Sequence, residues 1–335
     1  MPTGPGPTQT SEAILATFGV PRRGMMSGID QFDVPRDGLV LGRNVHMYRG
    51  ELNSRPGMCG NAFATLPVGS HPNGMFGARY AASRKVILMV ANSTQILVLQ
   101  LDNTWLDILA VASTGARWFP TRFTTIALGT PLVTSVIIAN GIDVPRRWDL
   151  VDPHVANSTV LTGAAAWRDV CTASDRIVGI TAAEVSWGET LRLDTWPALN
   201  VKGLTESQDY CVAIRAMGTL NVVVFKERSI WIGKAVGGSS ASYFRWQMLT
   251  QIDGPAGPHA VAQDGEGRYF WMTIRGRIGM LDGNGPQWIG DMNWPSVRDV
   301  ISASNLVQQQ VHACWMPQFN EVWFFYGPGP LGTCL

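Results

Sequence analysis

Val222-Val223-Val224-Phe225 is followed by Lys226-Glu227-Arg228 and then by Ser229-Ile230-Trp231-Ile232. A β-branched apolar run, a charged turn and a second apolar run spell strand–turn–strand. Similar cores stand at Val86–Ala91, Val133–Ala139, Arg176–Thr181, Leu220–Phe225, Tyr269–Thr273 and Val322–Tyr326. Taken at Val86, Val136, Ile177, Val222, Tyr269 and Val322, they step by 50, 41, 45, 47 and 53 residues. Each step is too short for a domain and matches one four-stranded propeller blade, whose repeats run ~40–50 residues.

A second strand follows most cores. After Val86–Ala91 come Asn92-Ser93-Thr94, the strand Gln95–Leu99 and Trp105. After Ile138 come Asn140-Gly141, then Ile142-Asp143-Val144 and Trp148. Asn-Gly favours a tight hairpin, because both residues tolerate positive φ. Val185-Ser186-Trp187 leads to Trp196, and Tyr269–Thr273 passes through Arg275-Gly276 and Arg277–Met280 to Trp288. The tryptophans that close the units, Trp105, Trp148, Trp196, Trp246 and Trp288, step by 43, 48, 50 and 42 residues. Indoles of this kind fill the widening wedge between neighbouring sheets, so Trp105, Trp148, Trp196 and Trp288 are expected to be largely buried near blade edges.

The fold expected is therefore all-β: a β-propeller of about six four-stranded blades with an extended N-terminal arm. Residues 1–36 read as the arm, 37–80 as a hairpin and lead-in, and 81–335 as the blades. The arm carries Pro2, Pro5, Pro7, Pro21 and Pro35, too many for a central strand. One short helix is expected at Ser11–Phe18, and Ser296–Gln310 reads as either a helix or a loop between blades.

Composition fits that class. Of 335 residues, 36 are Gly and 20 Pro, which favours turns over long helices. Hydrophobic residues reach 46% and charged ones only 15%, the opposite of a disordered chain. A net charge of +1 excludes a chain-wide basic field for gripping a phosphate backbone. No apolar run approaches the ~18 residues of a membrane-spanning helix, and the N-terminus lacks the pattern of a secretory signal. The five cysteines, Cys59, Cys171, Cys211, Cys314 and Cys334, are scattered without metal spacing. They read as reduced, mostly buried thiols of a protein made in the cytoplasm.

Catalytic motifs are missing from the sequence: there is no His-Glu-x-x-His, Gly-x-Ser-x-Gly or P-loop. No catalytic residue, cofactor or metal is expected. His312 and Cys314 supply only two donors, which reads as a core pair rather than a zinc centre. Asp264–Gly267 and Asp282–Gly285 lack calcium-loop spacing and read as solvated hairpin turns. Arg22-Arg23, Arg146-Arg147 and Arg275 with Arg277 read as solvated surface charge, with a DNA channel or a neighbouring subunit as the alternative they could face.

Asp37–Met58 holds a hairpin: a strand over Asn44–Tyr48, an Arg49-Gly50 turn and a short strand ending at Pro56-Gly57. With Arg43-Asn44-Val45, Gly50-Glu51-Leu52 and Arg55-Pro56-Gly57, it resembles the N-terminal motif of the β-propeller tail nozzle, or packaged-DNA-stabilisation hub, proteins of short-tailed bacteriophages. Val222–Trp231 resembles that family's apolar strand, Lys-Glu turn and Ile-Trp strand, and Ile252–Val261 its Gly-rich link into the next blade. The resemblance spans roughly residues 37–326 and departs after Tyr326, where a further strand and a closing tryptophan are expected but absent. It implies a virion structural protein forming a homo-oligomeric ring of six copies below the portal–adaptor complex. Such a ring contacts adaptor, portal and tail fibre or needle proteins, retains packaged DNA, and passes it non-specifically at infection. A propeller binding module for protein or glycan ligands and a propeller hydrolase or lyase are the alternatives left open.

Overall fold

The computed structural model describes residues 45–48, 51–54, 74–79, 86–91, 95–100, 104–109, 118–125, 133–150, 157–193, 195–289, 311–318, 320–326 and 333–334. The chain divides into two units, Met1–Met58 and Cys59–Leu335. The expected arm, the short helix at Ser11–Phe18, Arg22-Arg23 and the Ser296–Gln310 segment lie outside the described residues.

In the first unit, β1 (Val45–Tyr48) pairs antiparallel with β2 (Glu51–Ser54), with Tyr48 opposite Glu51. The hairpin read from Asn44–Tyr48 is formed.

The second unit is a series of antiparallel meanders. The first sheet is β3 (Gly74–Arg79), β4 (Val86–Ala91), β5 (Ile96–Leu99) and β6 (Trp105–Asp107). The second is β7 (Phe119–Thr125), β8 (Val133–Ala139), β9 (Arg146–Asp149) and β10 (Thr159–Val160). The third is β11 (Asp169–Ala173), β12 (Arg176–Ile180), β13 (Glu184–Trp187) and β14 (Val201–Gly203). The fourth is β15 (Cys211–Met217), β16 (Asn221–Lys226), β17 (Ile230–Ala235) and β18 (Phe244–Thr250). The fifth is β19 (Val261–Gln263), β20 (Tyr269–Met272), β21 (Ile278–Asp282) and β22 (Gly285–Ile289). The sixth, three-stranded among the described residues, is β23 (His312–Met316), β24 (Glu321–Tyr326) and β25 (Thr333–Cys334).

The first strands of successive sheets lie side by side, β11 between β7 and β15, and β19 beside β23. This is a β-propeller, nearly all β, with only two short 3-10 turns among the described residues. No described helix is long and apolar enough to cross a membrane.

The second strand of each sheet carries the fold. In the second to fifth sheets its side chains alternate between two faces, and both faces meet a neighbouring sheet. Val136 and Ile138 enter the core shared by the first two sheets, whereas Ile137 and Ala139 enter the next. Ile177 points back to the second sheet, and Val178 and Ile180 forward to the fourth. Val222 and Val224 face the third sheet, and Val223 and Phe225 the fifth. Met272 and Phe324 share the core between the last two sheets. Each such Val, Ile, Met or Phe side chain contributes about 1.5–3 kcal/mol by burial, so two-sided apolar runs dominate the stability. All six markers of the sequence repeat, Val86 through Val322, fall on these second strands.

Four expectations need correction. First, the tryptophans that step evenly do not occupy equivalent places. Trp105, Trp246 and Trp288 sit on fourth strands, Trp148 on a third, and Trp196 between third and fourth. Only Trp148 is fully enclosed, and the other four are half-buried. The indoles seated deep between sheets are instead Trp118, Trp148, Trp167, Trp231 and Trp271.

Second, Asn140-Gly141 does not close a two-residue hairpin. The Asn140 side chain accepts the Ile142 and Asp143 amides at 3.1 and 2.8 Å, opening a longer turn in which Ile142 is exposed and the strand resumes at Arg146. Gly141 takes φ +82° there. Third, the chain after Tyr326 does return to the sixth sheet, through β25. Fourth, the first sheet begins at Gly74, inside the segment read as lead-in.

Trp271 lies across the sheet from Gly279, where an added Cβ would come within 2.2 Å of the indole. Gly279→Ala should therefore lower stability by ~1–3 kcal/mol through overpacking. Trp148→Ala should cost ~3–5 kcal/mol as a fully buried aromatic, and Trp288→Ala distinctly less. Denaturant unfolding of the three variants measures this order.

Candidate functional site

Lys226 shares the parity of Val222 and Val224, so β16 directs its side chain into the interface between the third and fourth sheets. It is completely buried there. A buried ammonium must have its three N–H groups accepted. Its Nζ donates to the Leu204 carbonyl at 2.6 Å and to the Ser207 carbonyl and hydroxyl, both at 2.9 Å. The Asp209 carboxylate stands 3.1 Å away.

Asp209 also accepts the Arg228 amide at 2.8 Å and the Ser229 hydroxyl at 3.1 Å, and Ser229 in turn accepts the Trp231 indole N–H at 3.2 Å. Burial pushes the Asp209 carboxyl up, but hydrogen bonds from Ser207, the Arg228 amide and Lys226 outweigh it and hold the group below its ordinary range.

The turn after Lys226 grips both neighbouring links. The Glu227 amide donates to the Tyr210 carbonyl at 3.0 Å, in the segment arriving from the third sheet. The Gly254 amide donates to the Glu227 carbonyl at 2.9 Å, in the segment leaving for the fifth. A Cβ on Gly254 would lie 1.8 Å from the Lys226 carbonyl oxygen, so only glycine allows this approach. Between the two links opens a recess of about 730 Å³, whose lining includes Glu206, Glu227, Arg228 and Asp253.

A second polar tie joins the first strands. Asp169 on β11 accepts the Val170 and Ile214 amides, both at 2.9 Å, and pairs with Arg215 of β15 at 2.5 Å. Arg215 also donates to the Pro258 carbonyl just before β19, so one guanidinium spans three sheets. Burial pushes the Asp169 carboxyl up, opposed by the Arg215 charge and the two amides. The Tyr269 hydroxyl donates to the Ala216 carbonyl, adding a further bond between the fourth and fifth sheets.

Residues singled out in the sequence take these places. Val45, Glu51 and Leu52 lie in the β1–β2 hairpin, while Arg43, Asn44, Gly50, Arg55, Pro56 and Gly57 fall outside the described residues. Arg146 donates to Ser158, Arg147 pairs with Asp149 at 2.5 Å, and the Arg277 guanidinium lies 4.0 Å from the Trp288 ring centre. Asp264 is not a solvated turn residue: it is buried, accepting the Glu266 and Arg268 amides and pairing with Arg268.

His312 and Cys314 are half-buried on β23, and the His312 ring stacks on His259 with centres 4.8 Å apart. Cys171 and Cys211 are buried free thiols, the latter pushed up to about 11 by burial. Among the described residues no three His, Cys, Asp or Glu side chains are grouped to hold a metal. Composition gave no hint of Asp169, Asp209 or Arg215 as interior charges. The one available signal is a lysine directly abutting a buried apolar strand.

No family model and no curated protein matches the chain. Among solved structures it is similar to a chain of the nidogen/laminin complex, at 12% identity over 72% of this chain and 84% of that one, with a TM-score of 0.41. It is similar to PorZ, a surface component of the type-IX secretion system of Porphyromonas gingivalis, at 12% identity over 78% of this chain and 30% of that one, TM-score 0.44. A chain of the BBS1N–ARL6DN complex matches at 12% identity over 64% of this chain and 66% of that one, TM-score 0.41.

Removing one partner of a buried pair leaves the other uncompensated. Lys226→Met should therefore destabilise the protein by ~3–5 kcal/mol in denaturant unfolding. Because the folded Asp209 value is depressed, its contribution is complete above the unfolded value of about 4 and is lost as pH falls through the folded one. Acid unfolding of Asp209→Asn should show a shallower pH dependence than the wild-type protein in that window.

Proposed function

We propose that the protein is a virion structural subunit, a tail nozzle or hub of a short-tailed bacteriophage, which self-assembles into a ring of about six copies below the portal and adaptor. In this role it retains packaged DNA and forms the exit conduit. The observation that carries the reading is the Lys226-Glu227 turn. This stretch bears the family-like sequence, and its polar groups are spent on locking three consecutive sheets together. A rigid body of this kind suits a conduit that must hold its shape under pressure. The β1–β2 hairpin, with Val45, Glu51 and Leu52, supports the same resemblance.

The arm over residues 1–36, or the loops after Trp148 and Trp231, join neighbouring subunits in this reading, and adaptor, portal and tail fibre or needle proteins are the outer partners. DNA passes without sequence-specific contact, consistent with a chain of net charge +1. The protein works as a scaffold and not as an enzyme, and resides in the virion tail after synthesis in the host cytoplasm. A second reading, a propeller binding module for protein or glycan ligands, draws on the open polar recess beside Glu227.

Mass spectrometry of purified particles should find the chain in tail fractions, with image averages placing it beneath the adaptor. A chain lacking residues 1–30 should keep its β-rich circular dichroism and fail to join the particle. Absence of the full-length chain from particles, together with a monomeric state in solution, overturns the nozzle reading and leaves the binding module.

A further inference from the structure

Lys234 on β17 stands directly opposite Arg245 on β18, and both are exposed. Like charges in register across two strands oppose each other. Among the described residues neither has an acidic partner to offset this. Beside them, Leu220 and Val236 are 56% and 60% exposed, and the Ala235 amide holds the two segments together by donating to the Leu220 carbonyl at 3.3 Å. One end of the fourth sheet thus presents two uncompensated positive charges around an apolar pair.

The other end of the same strand carries the reverse pattern. The recess there exposes the Glu206 and Glu227 carboxylates, with Asp253 half-buried, against the single Arg228. None of these side chains has an ion-pair partner among the described residues. Lys226 already balances Asp209 below them. The recess therefore keeps an excess of two negative charges, matching the excess at Lys234 and Arg245. Tyr210, 56% exposed, follows Asp209 of the lining, and the Arg168 guanidinium lies 5.9 Å from its ring centre. The two surfaces sit at opposite ends of β17, about 17 Å apart along a strand of this length. They cannot satisfy each other within one chain.

We propose that the Lys234–Arg245 end of the fourth sheet in one copy docks on the Glu206–Glu227–Asp253 recess of a second copy, making a repeating head-to-tail contact. A contact between two different surfaces is the type that generates rings or filaments. Opposite fields on the two surfaces orient the encounter and exclude head-to-head pairing. The inference rests on the reading of this chain as a self-assembling subunit and names the surfaces that join.

The test uses the full-length chain in sedimentation velocity over a range of concentrations. One variant carries Lys234→Glu with Arg245→Glu, leaving both of its surfaces acidic. The other carries Glu206→Lys with Glu227→Lys, leaving both basic. All four positions are exposed, so each variant should melt close to the wild-type protein. Each alone should self-associate ~100-fold more weakly, since like charges now meet across the contact. An equimolar mixture should recover assembly in alternating order, because each variant's surfaces complement the other's. Assembly of either variant alone at wild-type strength, or a mixture that stays monomeric, overturns this contact while leaving another route to the ring. A wild-type chain that is monomeric at every concentration overturns both the contact and self-assembly of the chain on its own.

Discussion

Everything in the propeller depends on one constraint: the middle of each inner sheet has two apolar faces and no way to cover either by itself. β8, β12 and β16 each send alternate side chains into two different cores. A sheet with both faces apolar must be sandwiched between two others. Stacking one meander after another satisfies that need and makes every internal sheet a neighbour of two more. The five cores along the described chain are the result.

Two clusters of polar groups tie the sheets together where they meet. Lys226, Asp209 and Ser207 close the passage from the third sheet to the fourth, and Asp169, Arg215 and the Pro258 carbonyl tie the first strands of three sheets. Buried ion pairs are weak sources of net stability compared with apolar replacements. Their value here is geometric, because Lys226 and Arg215 each bond carbonyls of segments that lead from one sheet to the next. The recess that the proposed contact uses exists because these segments are held apart at defined positions.

Much of this was legible in the sequence, and the exceptions have physical reasons. A strand with apolar residues on both faces reads as an apolar run, so all six second strands stood out and their spacing gave the repeat. The evenly spaced tryptophans were misleading because an indole is large enough to reach a neighbouring sheet from a third strand, a fourth strand or the link between them. Asn140-Gly141 carries the signature of a tight hairpin, yet the Asn140 side chain caps a longer turn instead. β25 is only two residues, Thr333 and Cys334, too short to produce any period. Lys226 sits in a stretch that reads as a charged, solvated turn. Its burial depends on carbonyls contributed by Leu204 and Ser207, which no local pattern announces.

The central claim is that the second strands, covered on both sides, bind the sheets into one cooperative body. Native-state hydrogen exchange read by mass spectrometry tests it most directly. Peptides covering β8, β12, β16 and β20 should share the slowest exchange and open together with the free energy of global unfolding, while β10 and β14 exchange far sooner. Separate and unequal opening of these second strands, each sheet at its own free energy, would contradict the account.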